Sequence, residues 1–352
     1  MKLWQRYLLR RLAKSFLLFI LCILSLYIVV DISINGVKFF SKETTTLGSV
    51  LLNYLSHFAQ YLDLFFSLSF LLASLRILVD TSMHGELTAL HMAGLSEARL
   101  LTPFILFALC LAAGSYVNSQ WLSPGAHDAA DAFQVKHSKG KERKEKVFTA
   151  SLEDGTELVY RKFDPEKGEL FDVFWIRSPE DIWHIKSLKV DPSPPSGRYA
   201  DHLQRSQDGP FEKTESFLVR SFPDIPWQGE APLQRFVPFE NRPLGLLIRQ
   251  ALLASSEKTF VQSHLHYKLA KPLIPLLLVL SLGPYAMRFR RGRNLFFFFA
   301  CSVFGLVGLL TLLDSCLILA ENQVLAAWMA IWAPLLSILL ISLPCNFSKN
   351  KV

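Results

Sequence analysis

Side chains able to do chemistry are present throughout this chain, but they are not organised as a catalyst. No glycine-lysine phosphate loop occurs, so the chain does not bind nucleotide in the P-loop manner. Ser, His and Asp residues exist without a nucleophile motif around them. His264 and His266 flank Leu265, and residues two apart on a helix do not share a face, so a metal pair is not expected there. The cysteines Cys22, Cys110, Cys301, Cys316 and Cys345 lack zinc-site spacing and lie in or at the end of apolar runs, where they read as packing residues. The expectation is therefore no catalysis, no cofactor and no metal.

What remains is a set of ionisable groups in unusual places. Asp31, Asp63 and Asp314 fall within apolar runs, where a charge is expensive. Asn53, His57, Gln60 and Asp63 recur at spacings of three and four, which makes a polar stripe on a helix. Such a stripe avoids lipid: it sits at the outer interface, or it faces protein or a wet cavity. Lys38 and Lys42 follow the first apolar run at the height of anionic headgroups.

The elements that must position these groups are membrane helices. Of 352 residues, 51% are apolar, and they are gathered into blocks long enough to span a bilayer. Helices are expected at roughly 12–33, 50–79, 100–121, 267–287, 295–319 and 324–343, six spans in all. Pro103 is placed in the first turn of the third, and Gly36 to Leu47 is read as a loop. Between the third and fourth spans the character changes. Short alternating strands at 147–150, 157–163, 169–177, 181–190 and 216–222, separated by turns, suggest a β-sandwich or open barrel. The stretch from Pro192 to Gly197 is read as a loop, and 244–259 as a helical segment. The domain reading is 1–122 for the first three spans, 123–243 for the β-domain, and 244–352 for a connecting helix and the last three spans.

Charge sets the topology. The net charge of +7 comes from Lys and Arg at the ends of apolar runs, which points to membrane orientation rather than nucleic acid. Lys2, Arg6, Arg10, Arg11 and Lys14 precede the first run, Arg288, Arg290, Arg291 and Arg293 form the densest basic cluster, and Lys349 and Lys351 close the chain. All three regions are placed in the cytoplasm, with both termini, and the β-domain lies on the far side. The first run continues to about Val30 without a small-x-small site and is read as a retained span, not a signal peptide.

Gly85-Glu86-Leu87-Thr88-Ala89-Leu90-His91-Met92-Ala93-Gly94-Leu95-Ser96 joins the second and third spans. Glu86, Leu90 and Ala93 share a face at helical spacing, with Leu87 beside them, and Gly94 ends the helix in the left-handed conformation. This helix, within 84–96, either docks in a groove of a soluble partner or is a polar turn resting on the bilayer.

That segment, with Leu100-Leu101-Thr102-Pro103, Arg6-Tyr7, Leu269-Ala270-Lys271-Pro272-Leu273 and the ending that holds Trp332 and Pro334, resembles the lipopolysaccharide-export permease family LptF/LptG (YjgP/YjgQ-like). The resemblance covers essentially the whole chain. It implies an α-helical membrane protein of six transmembrane helices with an extracytoplasmic all-β, jellyroll-like domain inserted between helices 3 and 4. It also implies a bacterial inner-membrane permease that extracts lipopolysaccharide, driven by a cytoplasmic ABC ATPase dimer (LptB-like). A second related permease subunit (LptF/LptG-like) and LptC/LptA-like periplasmic bridge proteins are the other implied partners. In this reading Glu86, Leu87, Leu90, His91, Ala93 and Gly94 couple to the ATPase, and Lys38 and Lys42 stand nearest to the lipid-headgroup residues. Asp31, Asp63 and Asp314 lean toward LptG within the family.

Two other classes are consistent with the residues alone. A membrane-anchored adaptor or structural protein would bind an external partner through its β-domain and transport nothing. A secondary transporter would use ionisable groups near the midplane, for which Asp314 is the candidate.

Overall fold

The computed structural model describes residues 3–40, 47–126, 148–152, 156–164, 167–190, 194–205, 211–225, 242–252, 258–289 and 294–347. The chain divides into two compact units. One unit holds the helices, apart from the last residues of Leu244–Leu252, and the other holds the sheet.

The helical unit begins with α1 (Leu3–Phe40), α2 (Leu47–Gln60), α3 (Leu62–Met83), α4 (Glu86–Met92) and α5 (Glu97–Val117), the last running into a π-helical turn at Asn118–Leu122. It resumes with α6 (Leu244–Leu252), α7 (Lys258–Ala270), a 3-10 turn at Lys271–Leu273, α8 (Ile274–Met287), α9 (Leu295–Glu321) and α10 (Ala327–Phe347). Five stretches among the described residues are long and apolar enough to cross a membrane: Leu3–Ile34, Leu62–Met83, Glu97–Ala126, Lys258–Met287 and Leu295–Glu321. Ala327–Ser342 is apolar but shorter.

Several boundaries differ from the sequence reading, each for a physical reason. Helix α1 runs through Gly36 to Phe40, so Lys38 lies on a helix and not in a loop. One glycine costs only about 1 kcal/mol against alanine, too little to stop a helix whose neighbours are apolar. Lys42 lies outside the described residues. The second span is interrupted at Tyr61, between α2 and α3. Helix α5 starts at Glu97, so Pro103 sits inside it rather than in its first turn. The fourth span is longer than expected and starts at Lys258; Pro272 falls in the 3-10 turn and Pro275 at the start of α8, where a missing N–H is tolerated.

One apolar core runs through the unit, with Leu8 and Leu12 of α1, Phe70, Leu71 and Leu75 of α3, Leu87 of α4, Leu100 and Phe104 of α5, and Ile274 and Leu278 of α8. Gly283 permits the close approach of α8 to α5, since a Cβ there would stand 2.8 Å from Leu101 Cδ2.

The other unit is an antiparallel sheet in the order β1 (Phe148–Ser151), β2 (Glu157–Tyr160), β4 (Glu169–Ser178), β5 (Asp181–Lys189), β6 (Ser196–Arg205) and β7 (Phe211–Ser221), with β3 (Lys162–Asp164) also pairing β4. The strands on this path follow one another in chain order, as in a meander, with β3 set off it between β2 and β4 in sequence. Of the stretch read as a loop, Pro192 and Ser193 lie outside the described residues, and Ser196 and Gly197 already belong to β6, whose polar residues conceal a strand. The inward residues explain why. They skip a residue in the same row of three strands: Leu170 and Val173, Ile185 and Leu188, Gly197 and Ala200. Asp172 and Tyr199 in that row have φ of 53°, in the left-handed region. Simple alternation therefore breaks there, and a period-two reading fails. The core on the inward face is built around Trp175, Trp183, Ile185 and Phe222. A Cβ on Gly197 would lie 2.7 Å from the Phe222 ring, so this position needs glycine.

Candidate functional site

Helix α4 is a single short element between two glycines in the left-handed region, Gly85 with φ 76° and Gly94 with φ 81°. Its end is a Schellman motif: the Gly94 N–H donates to His91 O at 2.9 Å and the Leu95 N–H to Leu90 O at 3.2 Å. Leu90 and Leu95, the pair that the motif brings together, both pack on the helical core. The His91 ring nitrogen Nδ1 lies 2.9 Å from Leu95 O and fastens the same turn.

The helix has two faces. Leu87 is buried and Leu90 and His91 are half-buried, so these three serve the chain's own packing. Thr88, Ala89, Met92, Ala93 and Gly94 are exposed, and Met92 is 86% exposed. The coupling set read from the sequence therefore splits. Ala93 and Gly94 are accessible, Glu86 is half-exposed, and Leu87 faces inward. Thr88, Ala89 and Met92 join the accessible face although the sequence reading passed them over.

Glu86 is engaged within the chain. Its Oε2 accepts from Arg11 Nη1 at 3.3 Å, and Arg11 Nη2 donates to Asp80 Oδ2. Arg11 also reaches the Tyr7 hydroxyl at 3.1 Å and lies over that ring at 5.4 Å. His84 Nδ1 stands 3.1 Å from Asp80 Oδ1. Close by, Ser82 Oγ donates to the carbonyls of Met287 and Phe289 at 2.8 and 2.9 Å, which ties the end of α3 to the end of α8. Arg288 grips Glu97 at the start of α5 with bonds of 3.3 and 2.9 Å. Arg290, Arg291 and Arg293 lie outside the described residues. The sequence reading takes Arg11 as a topology signal, and Arg288 as a topology signal or part of a lipid-headgroup cluster, and assigns neither an ion-pair partner. The detectable sign was the presence of acids, Asp80, Glu86 and Glu97, at the same ends of apolar runs.

The intramembrane acids each find a neighbour. Asp31 accepts from Tyr54 at 2.9 Å. Asp314, on the exposed side of α9, accepts from Tyr267. Asp63 lies beside Ser115, with Lys268 and Lys271 as nearby cations, while its Oδ1 is covered and has no hydrogen-bond partner among the described residues. The polar stripe faces protein: Asn53 is buried, Gln60 donates to Ala126 O at 3.1 Å, and Asn118 donates to Ala59 O at 2.8 Å. His264 and His266 diverge, as expected from their spacing. His264 pairs with Glu321 at 2.8 Å, and His266 accepts from Trp332 Nε1 at 3.3 Å. No cluster of three or more His, Cys, Asp or Glu able to hold a metal occurs among the described residues.

Comparison with curated protein sequences gives no match. The family model described as lipopolysaccharide export system permease LptF/LptG matches residues 6–344, across the long helices, α4 and the sheet alike. That family comprises membrane components of a transporter, not catalysts, and its members take part in lipopolysaccharide export as part of the Lpt complex. With its long apolar helices, inserted antiparallel sheet and a family match over nearly the entire chain, this is a multi-pass inner-membrane protein that belongs to the lipopolysaccharide export system permease LptF/LptG family.

Proposed function

We propose that the chain is one permease subunit of an ABC transporter that extracts lipopolysaccharide from the inner membrane and passes it to a periplasmic bridge of LptC/LptA-like proteins. A separate cytoplasmic ATPase dimer of LptB type drives it through α4. The observation that carries this reading is the exposed face of α4, Thr88, Ala89, Met92 and Ala93, beside the half-exposed Glu86, on a helix mounted between two glycine joints. An apolar-centred face with one carboxylate suits a groove that offers a basic group.

A second, related permease is supported by where the apolar surface is bare. Of the most apolar 18 residues of α1 none is buried, and of those of α9 17% are, against 61% for α3, so the first and fifth spans present the surface for another subunit. Asp314 on the exposed side of α9 fits a protein or wet neighbour better than lipid. The sixth span is α10. At 21 residues it is about 31 Å long, enough for a hydrocarbon core of about 30 Å. With six spans, both basic termini and the 288–293 segment lie in the cytoplasm and the sheet lies in the periplasm. The domain limits are then 1–122, 123–243 and 244–352, with the sheet as the jellyroll-like part and Lys38 and Lys42 at the headgroup level. Asp31, Asp63 and Asp314 incline the assignment to the LptG side.

The test is a Glu86→Arg variant of the full chain. It should lose copurification with the ATPase, or keep it and lose ATP-dependent lipid release. Normal copurification together with normal release would overturn the docking claim.

A further inference from the structure

Arg11 holds a side chain on α3 and one on α4 at once. Its Nη2 donates to Asp80 and its Nη1 to Glu86 Oε2 at 3.3 Å. The guanidinium is fixed from its own helix as well, because Tyr7, one turn earlier, lies beneath it and contributes its hydroxyl at 3.1 Å. Leu8 and Leu12, on either side in sequence, are 4% and 0% exposed, so α1 cannot rotate to withdraw the side chain without opening the core.

The charges are unequal. Two carboxylates share one guanidinium, and His84 adds a cation only when protonated. A basic group from outside can therefore bind Glu86 while Arg11 remains on Asp80. The two contacts also differ in kind. Asp80 belongs to the long helix α3, which is packed into the core. Glu86 opens a seven-residue helix held between Gly85 and Gly94, and no atom lies within 4 Å of where a Cβ on either glycine would stand. Such a helix can tilt as a rigid piece. Besides its buried Leu87 and half-buried Leu90, its polar attachment to α1 is Arg11.

We propose that Arg11 is a positioning residue that passes displacement of α4 to α1, with Asp80 as its fixed anchor and Glu86 as the contact that carries the movement. This rests on the function proposed above, since α1 is the span with the bare apolar stretch. The guanidinium is suited to the task because its planar fork can serve two carboxylates in a fixed geometry, whereas an ammonium is a single point of charge.

The experiment uses the full chain assembled with its partner permease and the ATPase in proteoliposomes containing lipopolysaccharide. The quantity read is lipid released per ATP hydrolysed, which a merely structural residue would not move. In Arg11→Gln the ATPase rate should stay within about twofold while lipid per ATP falls about tenfold, within the usual range of coupling between sites. Arg11→Lys, which keeps the charge but lacks the fixed planar fork and the reach of the guanidinium, should lose about threefold. If Arg11→Gln does not assemble, Arg11→Lys decides. An unchanged ratio in the assembled variants, even where their yield or hydrolysis rate falls, overturns the proposal. Absence of ATP-dependent release from the wild type would instead defeat the underlying function, and this inference with it.

Discussion

At the scale of single residues, environment decides what a charge does. Glu86, exposed in a polar connection by its sequence, is tied to Arg11 in the fold. Asp201 illustrates the same point in the sheet. Lys213 Nζ at 2.7 Å and the Ser216 hydroxyl both donate to its carboxylate, and these bonds, Lys213 first, hold it below the usual carboxylate range. For a carboxyl whose folded value is depressed, the stabilisation is present above its unfolded pKa. It is lost as the pH falls through the folded value. Replacing Lys213 by Met should raise the Asp201 titration toward the ordinary range, read from the carboxyl carbon shift in an NMR titration. Because Asp201 is about a third exposed, its part in overall stability is small.

At the scale of elements, α4 owes its shape to its ends. Seven residues are too few to hold a helix by propensity alone. The Schellman bonds at Gly94 and the buried Leu87 supply what the sequence within it does not. Gly94→Ala meets no steric clash, so its cost is purely that of a left-handed backbone, about 1 kcal/mol. The expected sign is faster amide hydrogen exchange at Leu95, whose N–H closes the motif, by about fivefold. Gly94→Asn should show a smaller effect, because Asn tolerates this region. The same conformation is carried by Gln323 at the end of α9, where φ is 58° and the Val324 N–H bonds back to Leu319 O at 3.1 Å. There the motif forms without a glycine to announce it.

At the scale of the whole molecule, orientation is the quantity to measure. In the proposed orientation, with both termini and α4 inside and the sheet outside, a cysteine at Met92 should react with an impermeant thiol reagent only from the cytoplasmic side. A cysteine at Lys186, exposed on the sheet, should react only from the periplasmic side. Both experiments need a background without the native cysteines, among which Cys22, Cys110 and Cys301 are exposed along their helices. Reaction of both positions from one side would break the six-span topology.

Much of this was legible in the chain itself. Long apolar blocks have one stable solution in a bilayer, because every backbone group must be satisfied within the segment. Five candidate spans, the sheet between them and the short helix at Glu86 follow from that rule and from turn residues. Glycine at 94 wrote the helix end into the sequence for steric reasons. Tertiary structure decided the rest. Which side of α4 is free depends on Leu87 finding the core. Arg11 acquires its partners from residues 69 and 75 positions away, and Gln60 of the polar stripe finds its acceptor in Ala126, 66 positions on. Strand β6 is defined by its pairing with β5 and β7, not by its own pattern. The physical reason is common to all four: periodicity and composition are local, whereas ion pairs, exposed faces and register are set by which distant segment arrives alongside.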